Sequence, residues 1–123
     1  MTKILIVDDD SNNQRILTFI LRKASYEVRV AENGVEGLAL LAEDIPDLVV
    51  LDMTMPVMDG LTMLQHMREN PLMSKIPVIM LTASGDEELH QAADAESVNG
   101  FLTKPSSSRV VLMKIRQILG ETE

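Results

Sequence analysis

Five polar side chains stand at the points where apolar, strand-like runs of the chain end. Asp8 and Asp9 follow the run ILIV, Asp52 ends LVVLD, Thr82 ends VIMLT, and Lys104 follows FLT. In an open parallel sheet with helices on its faces, the carboxyl ends of the strands share one edge, and ligands bind along that edge. We therefore expect these five side chains to converge on a single site.

The residue types at this edge indicate phosphoryl chemistry. Three carboxylates placed close together repel one another unless a divalent cation neutralises them, and hard oxygen donors suit Mg²⁺. The ammonium of Lys104 and the hydroxyl of Thr82 could then hold the oxygens of a phosphoryl group. A carboxylate can itself act as a nucleophile and form an acyl phosphate. The pattern predicts phosphorylation of Asp52 with Mg²⁺ as the cofactor.

Five strands are needed to position these residues, and five short apolar runs supply them. The first run is almost entirely apolar, which is typical of a central strand covered on both faces. The second, EVRVA, alternates polar and apolar residues, which indicates an edge strand. The predicted strands are Lys3–Val7, Glu27–Ala31, Asp47–Asp52, Val78–Thr82 and Phe101–Thr103.

Helical patterns alternate with these strands. We expect Ser11 to cap the first helix, with Asp10 as a solvated charge at its entry, and Asn33 to cap the second. The fourth helix is predicted over roughly residues 86–95, and Gly120 ends the last. The predicted buried positions are Ile16, Ile20, Leu21 and Ala24 in the first helix, Val35, Leu38, Leu41 and Ala42 in the second, Leu61, Leu64 and Met67 in the third, and Val111, Met113, Ile115 and Ile118 in the last.

The order of elements defines the fold class. Strands that alternate with helices predict a parallel sheet with right-handed crossovers and helices on both faces. We predict an α/β doubly wound (βα)₅ sandwich of strand order 2-1-3-4-5, the flavodoxin-like arrangement, with strand two at the polar edge. The switch point then lies between strands one and three, which carry Asp8, Asp9 and Asp52.

Composition bounds the function. A chain of 123 residues, 46% hydrophobic and 24% charged, is a single globular domain. We assign residues 1–120 to that domain and 121–123 to a tail. The net charge of −8 argues against direct nucleic-acid binding, and no run is long enough to span a membrane. The absence of cysteine fits a cytoplasmic location.

Four segments together resemble the receiver domain of bacterial two-component response regulators: IVDDD, LDMTMPVMDG, LTAS and FLTKP. They occur in the family's order and spacing over nearly the whole chain. The resemblance implies that Asp52 is the phosphoacceptor and that Mg²⁺ is held by Asp9 directly and by Asp8 through water. It also implies that the backbone carbonyl of Thr54 binds the ion. One departure is Ser106, since many relatives have an aromatic residue after the Lys-Pro pair.

The resemblance also assigns the remaining roles. Thr82 and Lys104 would hold phosphoryl oxygens, and Thr82 and Phe101 would act as switch residues. The partners implied are a histidine kinase or phosphotransfer protein and a downstream effector. The chain would catalyse only its own phosphorylation and slow dephosphorylation. The signal would leave through the fourth helix, fifth strand and last helix, where acidic and basic faces could support a phosphorylation-dependent homodimer.

Other function classes are weighed against this interpretation. A Mg²⁺-dependent aspartyl phosphohydrolase would need an acid–base aspartate two residues after Asp52, where the chain has Thr54. A flavin carrier would need a hydroxyl-rich phosphate loop after the first strand, and that loop is acidic here. A degenerate receiver used only for docking is disfavoured, because all five site residues are present.

Overall fold

The computed structural model describes residues 1–83, 91–92, 98–104 and 107–120. Five parallel strands form one sheet in the order β2-β1-β3-β4-β5, which confirms the predicted topology. The strands are β1 Lys3–Val7, β2 Glu27–Ala31, β3 Leu48–Asp52, β4 Val78–Ala83 and β5 Gly100–Lys104. The helices are α1 Ser11–Lys23, α2 Gly34–Glu43, α3 Gly60–Glu69 and a C-terminal helix, Ser108–Leu119. None of the described helices is long and apolar enough to cross a bilayer.

The strands divide the core in two because successive side chains point to opposite faces of the sheet. In β1, Leu5 and Val7 join the core beneath α2 and α3, whereas Ile4 and Ile6 join the core beneath α1 and the C-terminal helix. This alternation continues through the central strands. Both faces are therefore covered, and the strand ends are the part of the sheet left to build a site.

The start of α1 differs from the prediction. Asp10, not Ser11, is the N-cap, and its carboxylate accepts hydrogen bonds from the backbone N–H groups of Asn12 and Asn13. Asp10 is thus the cap of α1, and it is also exposed to solvent as predicted. A carboxylate at this position also interacts favourably with the positive end of the helix dipole.

Two predicted buried stripes are also shifted. In α1, Leu17 and Leu21 are buried, whereas Ile16 is 57% exposed. In α2 the buried positions are Gly34, Gly37 and Leu41, and Val35 is 51% exposed. The glycines are buried because α2 lies close to its neighbours: a Cβ on Gly37 would lie 2.9 Å from Cε of Met63. Apolar spacing alone did not reveal that glycine carries this contact.

In α3 and the C-terminal helix most of the predicted buried positions are confirmed. Leu64 and Met67 of α3 are fully buried, as expected, and so are Val111 and Ile115 of the C-terminal helix, while Met113 is exposed. Ser107 caps that helix, and Gly120 ends it in the left-handed conformation. Only residues 91 and 92 of the predicted fourth helix are described, and both are helical. The rest of that helix, Ser106 and the tail lie outside the described residues.

Candidate functional site

The adjacent strands β1 and β3 bring the three acidic residues together. Val7 pairs with Leu51, so Asp8 directly follows β1 beside Asp52, the last residue of β3. One carboxylate oxygen from each of Asp8, Asp9 and Asp52 lies within 4.8 Å of the others. Asp8 and Asp52 are each 2% exposed, whereas Asp9 is exposed. This donor set, three hard anionic oxygens with one open side, fits the chemistry of Mg²⁺.

Asp52 is held on both of its oxygens. Nζ of Lys104 donates to Oδ2 at 2.6 Å, and the backbone N–H of Thr54 donates to Oδ1 at 3.2 Å. Burial raises the pKa of the Asp52 carboxyl, and the negative charge of Asp8 adds to that rise. The hydrogen bond and charge of Lys104, together with the Thr54 N–H, oppose it. The site thus contains a buried carboxylate whose charge depends on one cationic partner.

Asp8 is paired through the start of α1. The backbone N–H of Asp10 donates to Oδ1 at 2.9 Å, and Nδ2 of Asn13 donates to Oδ2 at 2.8 Å. The side-chain amide of Gln14 donates to the backbone carbonyl of Asp8. Neither Asn13 nor Gln14 was predicted from the sequence as a residue of the site. The signal that could have found them is that α1 begins immediately after the acid pair.

The loop after β3 contains a tight turn. The N–H of Met58 donates to the carbonyl of Pro56 at 2.7 Å, which encloses Val57 in a γ-turn with φ of 69°. A β-branched residue in the left-handed region is a strained outlier. The carbonyl of Met58 accepts from the N–H of Gly34 at 3.3 Å, so the start of α2 holds this turn.

Gly60 allows α3 to begin directly against the end of β3. Its N–H donates to the carbonyl of Met53 at 2.9 Å, and a Cβ at this position would lie 2.2 Å from the backbone oxygen of Asp52. Asp59 caps the helix by accepting from the N–H of Thr62 at 2.8 Å. Asp59-Gly60 is therefore a helix start in which glycine is needed at the second position, because any Cβ there would clash with the backbone of Asp52.

Strands β4 and β5 carry the other predicted site residues. Thr82 is 6% exposed and pairs in register with Thr103, one residue before Lys104. Phe101 is partly buried and packs against the core beneath α2 and α3. Thr54 is exposed in the loop after Asp52. Outside this set, His66 is exposed, and His90 lies outside the described residues.

Comparison with known proteins agrees with this geometry. The family model of the response regulator receiver domain matches residues 4–116. The chain is 36% identical over 124 residues to the DNA-binding dual master transcriptional regulator RpaA of Synechocystis, with 100% of this chain and 51% of RpaA covered. It is 40% identical to the 14.6 kDa protein of the sodA1 3′ region of Leptolyngbya boryana, over 93% of this chain and 87% of that protein.

A solved structure gives the same result. The chemotaxis response regulator CheY4 of Vibrio cholerae superposes with a TM-score of 0.89 at 30% identity, covering 96% of this chain and 98% of that one. The chain spans about half the length of the curated transcriptional regulators that it matches, such as RpaA. The fold and the family match favour the receiver interpretation over a flavin carrier or a phosphohydrolase.

Proposed function

The chain belongs to the receiver domain family of two-component response regulators, and from this premise we propose that Asp52 accepts a phosphoryl group from a histidine kinase or phosphotransfer protein. The observation that carries the assignment is the state of Asp52. Asp52 is 2% exposed, and its carboxylate lies 2.6 Å from the Lys104 ammonium. One of its oxygens lies within 4.8 Å of a carboxylate oxygen of both Asp8 and Asp9.

We assign the magnesium site to Asp8, Asp9 and Asp52, with the backbone carbonyl of Thr54 as a further oxygen donor. When bound, Mg²⁺ would neutralise the acidic cluster and the charge on the transferring phosphoryl group. Asp9 is the exposed member, so it faces the side from which an ion and a phosphoryl donor can enter. Asp8 is buried, so we assign it to the inner side of the site.

The transfer step balances without any further reactant. A carboxylate oxygen of Asp52 forms a bond to phosphorus while the bond from phosphorus to the donor's histidine nitrogen breaks. The electron pair of that bond returns to the imidazole ring. Lys104 and Thr82 would donate hydrogen bonds to phosphoryl oxygens, so Lys104 would exchange its present partner Oδ2 for the new group. Attack of water on the acyl phosphate would later restore the Asp52 carboxylate.

The signal would leave through Thr82 and Phe101. Phosphorylation adds oxygens and negative charge at the end of β3, and Thr82 on the neighbouring strand would move toward them. Phe101 packs against the core and has partial exposure, so it could exchange between two positions as that strand end shifts. A downstream effector or a second copy of the chain would bind the changed surface. We also propose a cytoplasmic location for this exchange.

The proposal is tested with a small-molecule phosphoryl donor and Mg²⁺, followed by intact-protein mass spectrometry. The wild type should gain one phosphoryl group, and Asp52→Asn should gain none. Asp47→Asn is the matched control, because Asp47 stands just before the other end of the same strand. Wild-type incorporation into Asp52→Asn, or a requirement for Asp47, would refute the assignment of the phosphoacceptor.

A further inference from the structure

Asp8 is a buried carboxylate with an unusually complete set of partners. At 2% exposure it has almost no access to bulk water. Its two oxygens accept from different donors, the backbone N–H of Asp10 at 2.9 Å and Nδ2 of Asn13 at 2.8 Å. A buried anionic oxygen without a donor is strongly disfavoured. The two bonds together therefore fix the plane of the carboxylate as well as its position.

The donor on Asn13 is the one that truncation of a side chain removes. The Asp10 N–H belongs to the backbone, whereas the Asn13 amide is a side chain on the first turn of α1. Since an ionised carboxylate only accepts hydrogen bonds, the NH₂ group of Asn13 must be the end that faces Asp8. The N-cap bonds of Asp10 to Asn12 and Asn13 hold that turn in place.

The neutrality of Asn13 also matters for a site that takes a divalent cation. A lysine or arginine at this position would bring a permanent positive charge next to Asp8 and would compete with the ion. An amide satisfies the buried oxygen and leaves the full negative charge of Asp8, Asp9 and Asp52 available. Lys104 already supplies the cation that Asp52 needs.

We propose that Asn13 is a positioning residue of the magnesium site, which holds the Asp8 carboxylate in the orientation that metal binding requires. The inference rests on the proposed function of the acidic cluster, and it adds a residue that contacts neither the phosphoryl group nor the nucleophile. Outer partners of metal ligands act in this way, because they orient the ligand without touching the ion.

The test compares Asn13→Ala with Asn12→Ala in the full chain. Asn12 is the matched control, because it is the adjacent residue on α1, is exposed, and its side-chain oxygen accepts from Nη2 of Arg15 at 3.4 Å rather than facing Asp8. Mg²⁺ affinity is measured by calorimetry, and the melting temperature is measured without metal. A carboxyl-carbon NMR spectrum of the metal-free protein reports directly on Asp8.

Asn13→Ala should weaken Mg²⁺ binding by about 10–100-fold, as other outer partners of metal ligands do. It should also shift the Asp8 carboxyl resonance, and Asn12→Ala should change neither quantity. Asn13→Leu provides a second variant of similar size with no donor if the alanine protein does not fold, and the same weakening is expected.

Two results would overturn the inference. One is wild-type Mg²⁺ affinity in the Asn13 variants with only a lower melting temperature, because that is the signature of a purely structural residue. The other is equal weakening in the Asn12 and Asn13 variants. Failure of the wild type itself to bind Mg²⁺ would instead refute the proposed function on which the inference rests, so the two failures can be told apart.

Discussion

The two edges of the sheet carry similar charged residues in different surroundings. At the carboxyl-end edge, Lys104 and Asp52 form an ion pair of 2.6 Å in which the Asp52 side chain is 3% exposed. At the opposite edge, Lys3 at the start of β1 pairs with Asp44 at the end of α2, at 2.9 Å, and the side chains are 40% and 43% exposed. Both pairs join a lysine to an aspartate at the end of a sheet.

At the opposite edge Lys3 joins β1 to two aspartates. Lys3 donates to both carboxylate oxygens of Asp44, and its backbone N–H donates to Asp47 at 2.7 Å. The hydrogen bond from Lys3 lowers the pKa of Asp44, and hydrogen bonding to Asp44 raises the pKa of Lys3. The Lys3 and Asp44 charges thus neutralise each other while both side chains remain in contact with water.

The carboxyl-end edge has more negative charge than it can neutralise. Three carboxylates face one lysine within the described part of the site, and two of the three are buried. Burial raises the pKa of Asp52 even with Lys104 in contact. The two edges therefore differ in burial and in their excess of like charge rather than in residue types.

The largest expected effect is on metal binding, and it should be confined to one edge. Asp9→Ala removes an exposed carboxylate from the cluster and should weaken Mg²⁺ binding by more than about 100-fold, beyond the loss expected for an outer partner. Asp44→Ala removes an exposed carboxylate from the opposite edge and should leave binding unchanged. Calorimetric titration measures both, and equal affinities in the two variants would break the distinction between the edges.

The next effect is on the stability of the metal-free protein. Asp52→Asn keeps the shape of the side chain and removes one of three neighbouring charges, so it should raise the free energy of unfolding by about 0.5–2 kcal/mol. Lys104 can accommodate the change, because its side chain is 35% exposed. Asp44→Asn should give no such gain, because it breaks a favourable pair. Thermal melts of both variants measure the difference.

The pH dependence of the stability gain in Asp52→Asn follows from the direction of the pKa shift of Asp52. The pKa of Asp52 is raised in the folded protein above its ordinary value of 3.8. The folded state therefore binds the proton more tightly, and the stability that this contributes is present below 3.8 and lost as the pH rises through the folded pKa. The difference in free energy of unfolding between Asp52→Asn and the wild type should therefore grow as the pH rises from 3.8 through the folded pKa of Asp52. A constant difference between the two proteins, or lower stability of the variant at neutral pH, would contradict the electrostatic account.

A smaller effect concerns the two non-glycine residues with left-handed backbone among the described residues, one near each edge. Val57 lies in the γ-turn of the loop after β3, and Ser25 follows α1 before β2. Removing the strain of a left-handed backbone raises the free energy of unfolding by about 1–2 kcal/mol. The greater freedom of glycine in the unfolded chain lowers the free energy of unfolding by about 0.4–1 kcal/mol. Val57→Gly should therefore stabilise by up to about 1 kcal/mol.

Ser25→Gly serves as the comparison. Ser25 occupies the position after the C-cap where glycine is usual, with the N–H of Tyr26 bonded to the carbonyl of Leu21 at 3.1 Å. Serine has no β-branch, so the gain from glycine should be smaller than at Val57. Denaturant melts would rank the two variants, and a larger gain at Ser25 would show that strain is not concentrated near Asp52.

The smallest effect is the titration of the exposed pair. The pKa of Asp44 should lie below its ordinary value of 3.8 in the wild type and return toward it in Lys3→Met. Because the folded pKa is lowered, the pair contributes stability above 3.8 and loses it as the pH falls through the folded value. High salt should reduce the shift, since the pair is exposed. A carboxyl NMR titration that finds the same pKa for Asp44 in Lys3→Met and in the wild type would show that Lys3 does not lower that pKa.

Much of the site could be predicted because each of its residues follows or ends an apolar run. The end of an apolar run predicts where a strand ends. A parallel sheet then brings the carboxyl ends of its strands to one edge, whatever the details of packing. The contacts of Asn13 and Gln14 with Asp8 were missed for a physical reason. A polar residue in the first turn of a helix can cap, face solvent or reach back to the preceding loop, and the spacing is the same in all three cases. Asp10 as the true N-cap was missed in the same way.

The sequence by itself determined the order of elements, the two-faced core and the positions of the acidic, hydroxyl and ammonium groups, because these depend on local periodicity. Only the tertiary structure decided that Asp8 is buried while its neighbour Asp9 is exposed. It also decided that Lys104 reaches Asp52 across 52 residues of chain. Burial and charge pairing depend on which surfaces pack over a residue, and those surfaces come from distant segments that no local pattern specifies.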